Sequence, residues 1–198
     1  MKRRELAAAI AAAATEHVVI TSLGSASRAW REHGGSNPTF YGSDPMGVAP
    51  GLALGAALAR PDVQFLLLEG DGDLTMNLGV LLTISAAAPA NLRVAVFANG
   101  RYETGGGQPL AAAGRADIAG IAKAAGWPST ARLGGGDLAA AVRHWLRAPA
   151  PALLVADVDP EAAPYGGPGD YSGGEERLRF QRDFAEWEQR RNGTTCER

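Results

Sequence analysis

The amino-acid sequence predicts an α/β fold: a doubly wound, three-layer, mostly parallel sheet with helices on both faces, followed by a C-terminal arm and helix. Short apolar runs typical of buried parallel strands alternate along the chain with longer segments of helical periodicity. Small residues follow several of these runs, as expected where a strand turns into a helix. With 198 residues and 46% hydrophobic content, the chain is long enough for one globular domain with a sizeable core.

The predicted elements alternate between helix and strand up to residue 158. Strands are predicted at residues 17–21, 65–68, 92–98 and 152–158, with a further short strand that ends at residues 40–41. Helices are predicted at residues 3–15, from about residue 27, and at 48–59, 73–87, 117–125 and 138–147. Two glycines, Gly51 and Gly55, are expected to let the 48–59 helix pack closely against the sheet. One face of the 73–87 helix is expected to be apolar, with Met76, Val80, Leu81 and Ile84.

The composition changes after Asp159. The segment PEAAPYGGPGDYSGGE is rich in proline and glycine and predicts an extended arm, with disorder as the alternative. Residues 175–191 then predict a helix whose apolar positions are Leu178, Phe180, Phe184 and Trp187. We therefore expect a binding domain at residues 1–159, with the arm and helix at 160–198 docking on a partner or on the protein's own surface.

Charge and cysteine content argue against several classes of protein. The formal net charge of −2 provides no basic surface for nucleic acid. Cys196 is the single cysteine, so neither an internal disulfide nor a cysteine-ligated iron–sulfur cluster can form within the chain. No apolar run reaches the length of a membrane span, and the alanine-rich start predicts an amphipathic helix rather than a signal peptide. We expect a cytoplasmic protein with no nucleic-acid or membrane partner.

The central stretch, residues 64–107, contains two polar residues that each follow an apolar strand. Gly70-Asp71-Gly72 comes after the 65–68 run, and its glycines permit a tight turn and close approach of the backbone to a ligand. Asn99 follows the 92–98 strand. Because the carboxyl ends of parallel strands form the ligand-binding edge of such a sheet, we expect Asp71 and Asn99 to lie on the same edge.

This pair of residues predicts a site for a hard cation. The Asp71 carboxylate, the Asn99 amide oxygen and a loop carbonyl after Asn99 are the oxygen ligands with which proteins hold Mg²⁺. The helix predicted from Asp73 adds free N–H groups and a positive dipole end for a phosphate. Together they would hold a diphosphate, although a plain Asp-Gly surface turn is the alternative.

Two other interpretations of the Gly-Asp-Gly turn fail. A dinucleotide-binding fingerprint needs a glycine at Thr75 and an acidic residue about 20 positions later, but no Asp or Glu occurs from residue 74 to 102. A calcium loop starting at Asp71 needs a glycine at Met76 and a glutamate at Leu82. None of the three histidines is assigned a catalytic role.

Gly70-Asp71-Gly72, 26 intervening residues and Asn99 together resemble the metal–diphosphate motif of thiamine-diphosphate enzymes. The flanking sequences look like the diphosphate-binding half of sulfopyruvate and phosphonopyruvate decarboxylases: VVITSLGSASRAW, FYGSDPMGVAPGLALGAALARP, GDGDLTMNLGVLLTI and NGRYETGGGQP. The resemblance runs from about His17 to about Ala156. It implies that Asp71, Asn99 and the carbonyl of Arg101 ligate Mg²⁺. The cofactor contacts that it implies are Gly24, Ser25, Asp44, Met46, Gly70, Asp71, Gly72, Asp73, Asn99, Arg101 and Tyr102.

The resemblance also implies roles in catalysis. Met46 would prop the two rings of the cofactor into a bent form, and the carbonyl of Asp44 would accept a hydrogen bond from the aminopyrimidine. Packing in the core is the alternative for Met46, and a helix N-cap is the alternative for Ser25. Glu103 would relay a proton or remain a solvated charge.

The segment after Glu103 is expected to form a mobile active-site lid, because residues 105–107 are all glycine. Residues 110–113, Leu-Ala-Ala-Ala, depart from the polar residues expected in sulfopyruvate-type relatives. This departure leaves the identity of the substrate open.

In thiamine-diphosphate enzymes a second domain supplies a glutamate that activates the pyrimidine, and this chain is too short for both domains. We therefore expect a β subunit of a heteromeric 2-oxo acid decarboxylase that works with a separate pyrimidine-binding α subunit, as a heterotetramer or larger assembly. A carboligase subunit of the acyloin or acetolactate type and a non-catalytic thiamine-diphosphate-binding module are alternatives. A third alternative is an unrelated α/β protein that binds another magnesium phosphate.

Overall fold

The computed structural model describes residues 1–43, 45–161 and 173–193. Its centre is a six-stranded sheet in which every pair of neighbouring strands is parallel, in the order β2-β1-β3-β4-β8-β7. An antiparallel two-stranded ribbon, β5-β6, lies apart from the sheet. The strands are β1 (His17–Thr21), β2 (Thr39–Tyr41), β3 (Gln64–Gly70), β4 (Leu92–Ala98), β5 (Arg101–Tyr102), β6 (Gln108–Pro109), β7 (Ser129–Leu133) and β8 (Ala152–Asp157).

Helices cover both faces of the sheet. They are α1 (Arg3–Ala13), α2 (Ser25–His33), α3 (Ala49–Ala59), α4 (Asp71–Thr75), α5 (Val80–Ala87), α6 (Ile118–Ala124), α7 (Leu138–Arg147) and α8 (Gly173–Arg191). Buried residues of α3, α4, α5 and α6 pack with one face of the strands, and those of α1, α2 and α7 pack with the other. Alternate residues of β1 contribute to the two cores, Val18 to the first and Val19 to the second, as the period of a strand requires. The predicted doubly wound α/β fold is confirmed.

The helix predicted at residues 73–87 is wrong in detail. It is two helices, α4 and α5, joined by a turn at residues 76–79. Asn77 donates a hydrogen bond from its side chain to the carbonyl of Gly47 at 3.0 Å, and Gly79 is a poor helix former, so the chain turns there. Met76 is consequently 51% exposed and does not join the apolar face that Val80, Leu81 and Ile84 form.

Two other expectations about the elements are wrong. The strand β7 was not predicted because it lies at the edge of the sheet and its residues are mostly not buried, so it lacks a continuous apolar run. The glycines of α3 do not face the sheet, since a Cβ atom added to Gly51 or to Gly55 would meet nothing within 4 Å. Instead α3 packs through Ala53, Leu54 and Ala57.

The C-terminal helix α8 docks on the chain's own surface. Phe180, Phe184 and Trp187 pack against the core beside α3, whereas Leu178 is 56% exposed. Two further side chains of α8, Glu176 and Arg179, bind the edge of β2. The predicted arm lies largely at residues 162–172, outside the described residues, and the predicted boundary between residues 159 and 160 stays a prediction.

At the edge of the sheet, β2 has backbone groups that no strand within the described ranges of the chain satisfies. The Tyr41 N–H donates to Glu176 Oε1 at 3.0 Å, and Arg179 Nη2 donates to the Thr39 carbonyl at 2.8 Å. The side chains of α8 thus replace the hydrogen bonds of a missing strand and cover this edge. In the three described stretches of the chain, no helix is long and apolar enough to cross a membrane.

Candidate functional site

The predicted site residues converge at the carboxyl edge of the sheet. Asp44 lies outside the described residues, and all the others line one cavity: Gly24, Ser25, Met46, Gly70, Asp71, Gly72, Asp73, Asn99, Arg101, Tyr102 and Glu103. Leu23, Phe97 and Thr104 complete the lining. These residues come from the ends of β1, β3 and β4 and from the loop before α3, so the topology of the sheet brings together segments that are far apart in sequence.

Asp71 is the first residue after β3 and is 4% exposed. Its Oδ1 accepts a hydrogen bond from the N–H of Gly72 at 2.9 Å, and its Oδ2 accepts one from the N–H of Gly100 at 2.7 Å. Burial raises the pKa of the Asp71 carboxyl above its usual value, although the backbone donors act in the opposite direction. Each carboxylate oxygen has a further lone pair, and a bound cation would offset the cost of burying the charge.

The other two predicted metal ligands lie beside Asp71. Since Gly100 donates to Asp71, the turn that begins at Asn99 is in direct contact with the Gly-Asp-Gly turn. The Arg101 carbonyl oxygen is 3.4 Å from the position that a Cβ atom on Gly72 would take. Asn99 Oδ1 accepts from the Arg101 N–H at 2.8 Å, which orients the amide.

A carboxylate, an amide and a carbonyl oxygen are a donor set that fits Mg²⁺. Among the residues that the structure describes, no group of three or more His, Cys, Asp or Glu side chains could hold a metal ion. The metal site therefore depends on the mixed set of Asp71, Asn99 and Arg101, and this assignment stays a prediction.

Gly72 leaves little room for a side chain. A Cβ atom at Gly72 would be 3.0 Å from Tyr102 Cδ1 and 3.4 Å from the Arg101 carbonyl oxygen. Glycine here therefore allows the loop of Arg101 and Tyr102 to approach the Gly-Asp-Gly turn closely.

Asp73 connects this turn to the loop that contains Met46. Its Oδ1 accepts a hydrogen bond from the N–H of Gly47, whose carbonyl in turn accepts from the Asn77 side chain. Gly47 has a φ of 84°, and a Cβ atom there would lie 2.8 Å from that of Asn77. Met46 is half-buried at the cavity and is absent from the buried core, so core packing does not account for it.

Ser25 is the first residue of α2, and the N-cap position belongs to Gly24. The alternative assignment of Ser25 as an N-cap is therefore wrong, and the helix begins two residues earlier than predicted. Gly24 has a φ of 93°, and a Cβ atom there would be 3.0 Å from Thr104 Cγ2. Gly24 and Ser25 line the cavity, and the N–H groups at a helix N-terminus favour an anion.

Sequence reasoning missed Glu69, the residue before Gly70. It is fully buried in β3, and its Oε1 accepts from the Gly70 N–H at 3.0 Å. Burial raises the pKa of the Glu69 carboxyl well above its usual value, and the charge of Asp73 raises it further. A carboxylate at the end of the apolar run FLLLEGDGD was the available signal, because acidic residues are rarely buried without a role.

Glu103 is not a solvated charge, contrary to one expectation. Its side chain is 5% exposed, and both of its oxygens accept hydrogen bonds from Arg3 Nη2, at 2.6 and 2.7 Å. Glu103 also begins a short 3₁₀ turn, Glu103–Gly105, within the segment predicted to be a lid. The mobility of that segment and a proton relay through Glu103 stay predictions.

The apolar segment at residues 110–113 does not reach the cavity. Leu110 is buried with Cδ2 3.4 Å from the Cβ position of Gly72, residues 111–113 are exposed, and none of the four lines the cavity. A larger groove of about 550 Å³ lies at the amino ends of β7 and β8, lined by Lys123, His144 and Arg147 among others. It contains none of the predicted residues, so we place the candidate site at the smaller cavity, where the acidic groups and the helix N-terminus meet.

Comparison with known proteins identifies the family. The family described as "Thiamine pyrophosphate enzyme, C-terminal TPP binding domain" matches residues 23–156. Sulfopyruvate decarboxylase subunit beta of Methanothermobacter thermautotrophicus is 35% identical over 108 residues, which cover 54% of this chain and 58% of that protein. Phosphonopyruvate decarboxylase of Streptomyces hygroscopicus is 31% identical over 143 residues, 72% of this chain and 35% of that protein.

The benzoylformate decarboxylase structure from Polynucleobacter necessarius superposes with a TM-score of 0.71 at 17% identity, over 83% of this chain and 34% of that one. This likeness concerns the fold. The chain thus matches between about one third and three fifths of the length of these proteins. The resemblance inferred from the Gly-Asp-Gly and Asn99 motif is confirmed: the chain belongs to the thiamine pyrophosphate enzyme family, as a C-terminal TPP-binding domain.

Proposed function

We propose that this chain is the diphosphate-binding β subunit of a heteromeric thiamine-diphosphate-dependent 2-oxo acid decarboxylase. The observation that carries the proposal is the contact between two strand ends: Asp71 accepts from Gly100, directly beside Asn99, inside the matched family region. Asp71, Asn99 and Arg101 all line the same cavity, which supports the assignment of their oxygen atoms as ligands.

Each group of the cavity has a role in binding the cofactor. Asp71, Asn99 and the Arg101 carbonyl would hold Mg²⁺, whose positive charge would offset that of the diphosphate. The N–H groups at the start of α2 would contact the diphosphate oxygens. Met46 would support the rings, on a loop that Asp73 holds through Gly47. The chemistry supplied by thiamine diphosphate is that of an electron sink, which assists loss of CO₂ from a 2-oxo acid.

A separate α subunit would complete the active site. The similar proteins from Methanothermobacter thermautotrophicus and Methanocaldococcus jannaschii are both named as beta subunits, which supports a partner chain. That partner would supply the glutamate that activates the pyrimidine, in a heterotetramer or larger assembly. The substrate would be a small 2-oxo acid.

Reconstitution tests this proposal. The chain is titrated with thiamine diphosphate, with and without Mg²⁺, and is then combined with a co-expressed candidate α subunit. CO₂ release is measured from pyruvate, sulfopyruvate and phosphonopyruvate. We expect weak, Mg²⁺-dependent binding by the chain alone and turnover only in the complex.

Three other outcomes would redirect the proposal. Full decarboxylase activity of the isolated chain would contradict the need for an α subunit. Condensation of two carbonyl compounds by the complex, without aldehyde release, would indicate a carboligase. Tight cofactor binding with no reaction in any complex would indicate a binding module.

A further inference from the structure

Glu103 is joined to the N-terminal helix by a buried ion pair. Arg3, in the first turn of α1, has a side chain that is 7% exposed, and that of Glu103 is 5% exposed. The Glu103 carboxylate also accepts from the backbone N–H of Glu161 at 3.0 Å, and the Glu161 carboxylate lies 4.0 Å from Arg3 Nε. Glu103 is thus bonded both to the start of the chain and to the segment that follows β8.

α1 has an apolar anchor that is separate from this pair. Leu6, Ala7 and Ile10 are fully buried in the core with α2 and α7. A buried ion pair loses solvation that its attraction must offset, so it is a poor source of stability. Its geometric effect is clearer, because it fixes the position of Glu103 relative to a rigid helix.

The segment fixed by Glu103 lines the candidate site through Glu103 and Thr104. In the turn Glu103–Gly105, Thr104 packs against Gly24 at the start of α2. The same segment is closed at its other end, where the Gly107 N–H donates to the Tyr102 carbonyl at 2.9 Å and Arg101 Nη1 donates to the Gly107 carbonyl at 3.0 Å. The turn is therefore continuous with the loop of Asn99 and Arg101 that carries two of the predicted metal ligands.

We propose that Arg3 is a positioning residue for the cofactor site: through Glu103 it holds the 103–105 turn against Gly24 and thereby fixes the Asn99–Arg101 loop beside Asp71. Arg3 lies outside the family region at residues 23–156, so this contact comes from a part of the chain that the family match does not include. The inference rests on the proposed function for its effect on cofactor binding. The effect on the turn itself concerns the cofactor-free protein.

Four variants test the proposal. Arg3→Gln and Glu103→Gln each remove one charge of the pair, the double variant removes both, and Arg3→Lys keeps the positive charge. Arg4→Gln is the matched control, since Arg4 is the exposed neighbour on the same helix. Hydrogen exchange of the amides of residues 103–107 is measured without cofactor, and affinity for Mg²⁺ and thiamine diphosphate is measured by calorimetry.

We expect both single variants to speed exchange at residues 103–107 by about tenfold or more and to weaken cofactor affinity by about tenfold, as loss of an outer-shell partner does. The double variant should be no worse than either single variant, because the two residues act as one unit. Arg3→Lys should fall between Arg3→Gln and the wild type. Arg4→Gln should match the wild type in both measurements.

Unchanged exchange at the turn in both single variants would overturn the proposal, as would unchanged cofactor affinity accompanied only by a lower melting temperature. If Arg3→Gln fails to fold, Glu103→Gln and Arg3→Lys still decide the question. Absence of binding by the wild type would instead contradict the proposed function, and the exchange at residues 103–107 would still report whether Arg3 holds the turn.

Discussion

The two ends of the central sheet both remove ionisable groups from water, acids at one end and bases at the other. At the carboxyl end, Glu69 and Asp71 are buried acids whose pKa values are raised by burial. At the amino end, the half-buried His17 and the buried Arg93 are bases whose pKa values are lowered, that of His17 to about 4, again chiefly by loss of solvent. At each end, therefore, burial disfavours the charged form.

The difference lies in what surrounds the charge. Arg93 donates to the carbonyls of Leu146 and Ala148, at 3.2 and 2.9 Å, where it satisfies the C-terminus of α7. Asp71 also accepts bonds from the chain, but it lines a cavity beside further oxygen ligands. Buried charge that the chain itself satisfies is structural, whereas buried charge that lines a cavity indicates a binding site.

The largest effect is expected at the carboxyl end. Asp71→Asn removes the charged ligand with little change in shape, and we expect Mg²⁺-dependent affinity for thiamine diphosphate to fall by about 100-fold or more. Calorimetry with and without Mg²⁺ measures this change. Asp117→Asn, at an exposed aspartate near α6, is the control and should bind as the wild type does. If Asp71→Asn bound the cofactor as tightly as the wild type does, the carboxyl end could not be distinguished from the amino end as a binding site.

The corresponding change at the amino end should affect stability alone. Arg93→Met retains much of the side-chain volume but leaves the carbonyls at the end of α7 without their donor. We expect the free energy of unfolding to fall by about 3 kcal/mol, with cofactor affinity of the folded protein unchanged. Urea unfolding and calorimetry on the same sample separate the two quantities. A loss of affinity comparable to that of Asp71→Asn would show that the ends are not independent.

Sequence alone predicted the parts of this comparison that follow from local pattern and topology. The strands His17–Thr21 and Leu92–Ala98 and the helix Leu138–Arg147 have the predicted bounds. The contact of the Asp71 and Asn99 turns follows from adjacent parallel strands, because β3 and β4 pair up to Gly70 and Phe97.

Features that depend on distant segments were not predictable in this way. The pairing of Arg3 with Glu103 joins residues 100 positions apart, and no local spacing encodes it. Glu176 and Arg179 are likewise far in sequence from the β2 residues that they bind. In the sequence, their charges therefore look like those of ordinary solvated residues. The break at residues 76–79 was missed because apolar periodicity continues across it.

A smaller effect is expected on the pH dependence of stability, through His17 at the amino end of the sheet. The folded state keeps His17 neutral, with a pKa of about 4 against 6.5 in the unfolded chain. The contribution of His17 to the free energy of unfolding is therefore fully present above pH 6.5. It is lost as the pH falls toward 4, and the loss is about 2 kcal/mol after allowance for partial solvent screening.

The variant His17→Asn should unfold with a flatter pH dependence over this range. The measurement is the difference between variant and wild-type unfolding free energies, since carboxyl groups add their own slope to both. His33→Asn is the control because His33 has a side chain that is 41% exposed. An identical slope for His17→Asn and the wild type would mean that the His17 imidazole does not influence the acid stability of the protein.

The smallest effect concerns α3, which begins beside the carboxyl end and exposes Gly51 and Gly55. A glycine within a helix costs about 1 kcal/mol relative to alanine, and a Cβ atom at either position would meet nothing within 4 Å. Gly51→Ala and Gly55→Ala should therefore each stabilise the isolated chain by up to about 1 kcal/mol in urea unfolding. Gly136→Ala is the matched control, since Gly136 is equally unobstructed but has a φ of 91°, where alanine is strained and should destabilise the fold.

The same α3 variants also test the proposed assembly. If the α subunit approaches this face, the variants should weaken its association while they stabilise the free chain. Unchanged association would place the partner elsewhere.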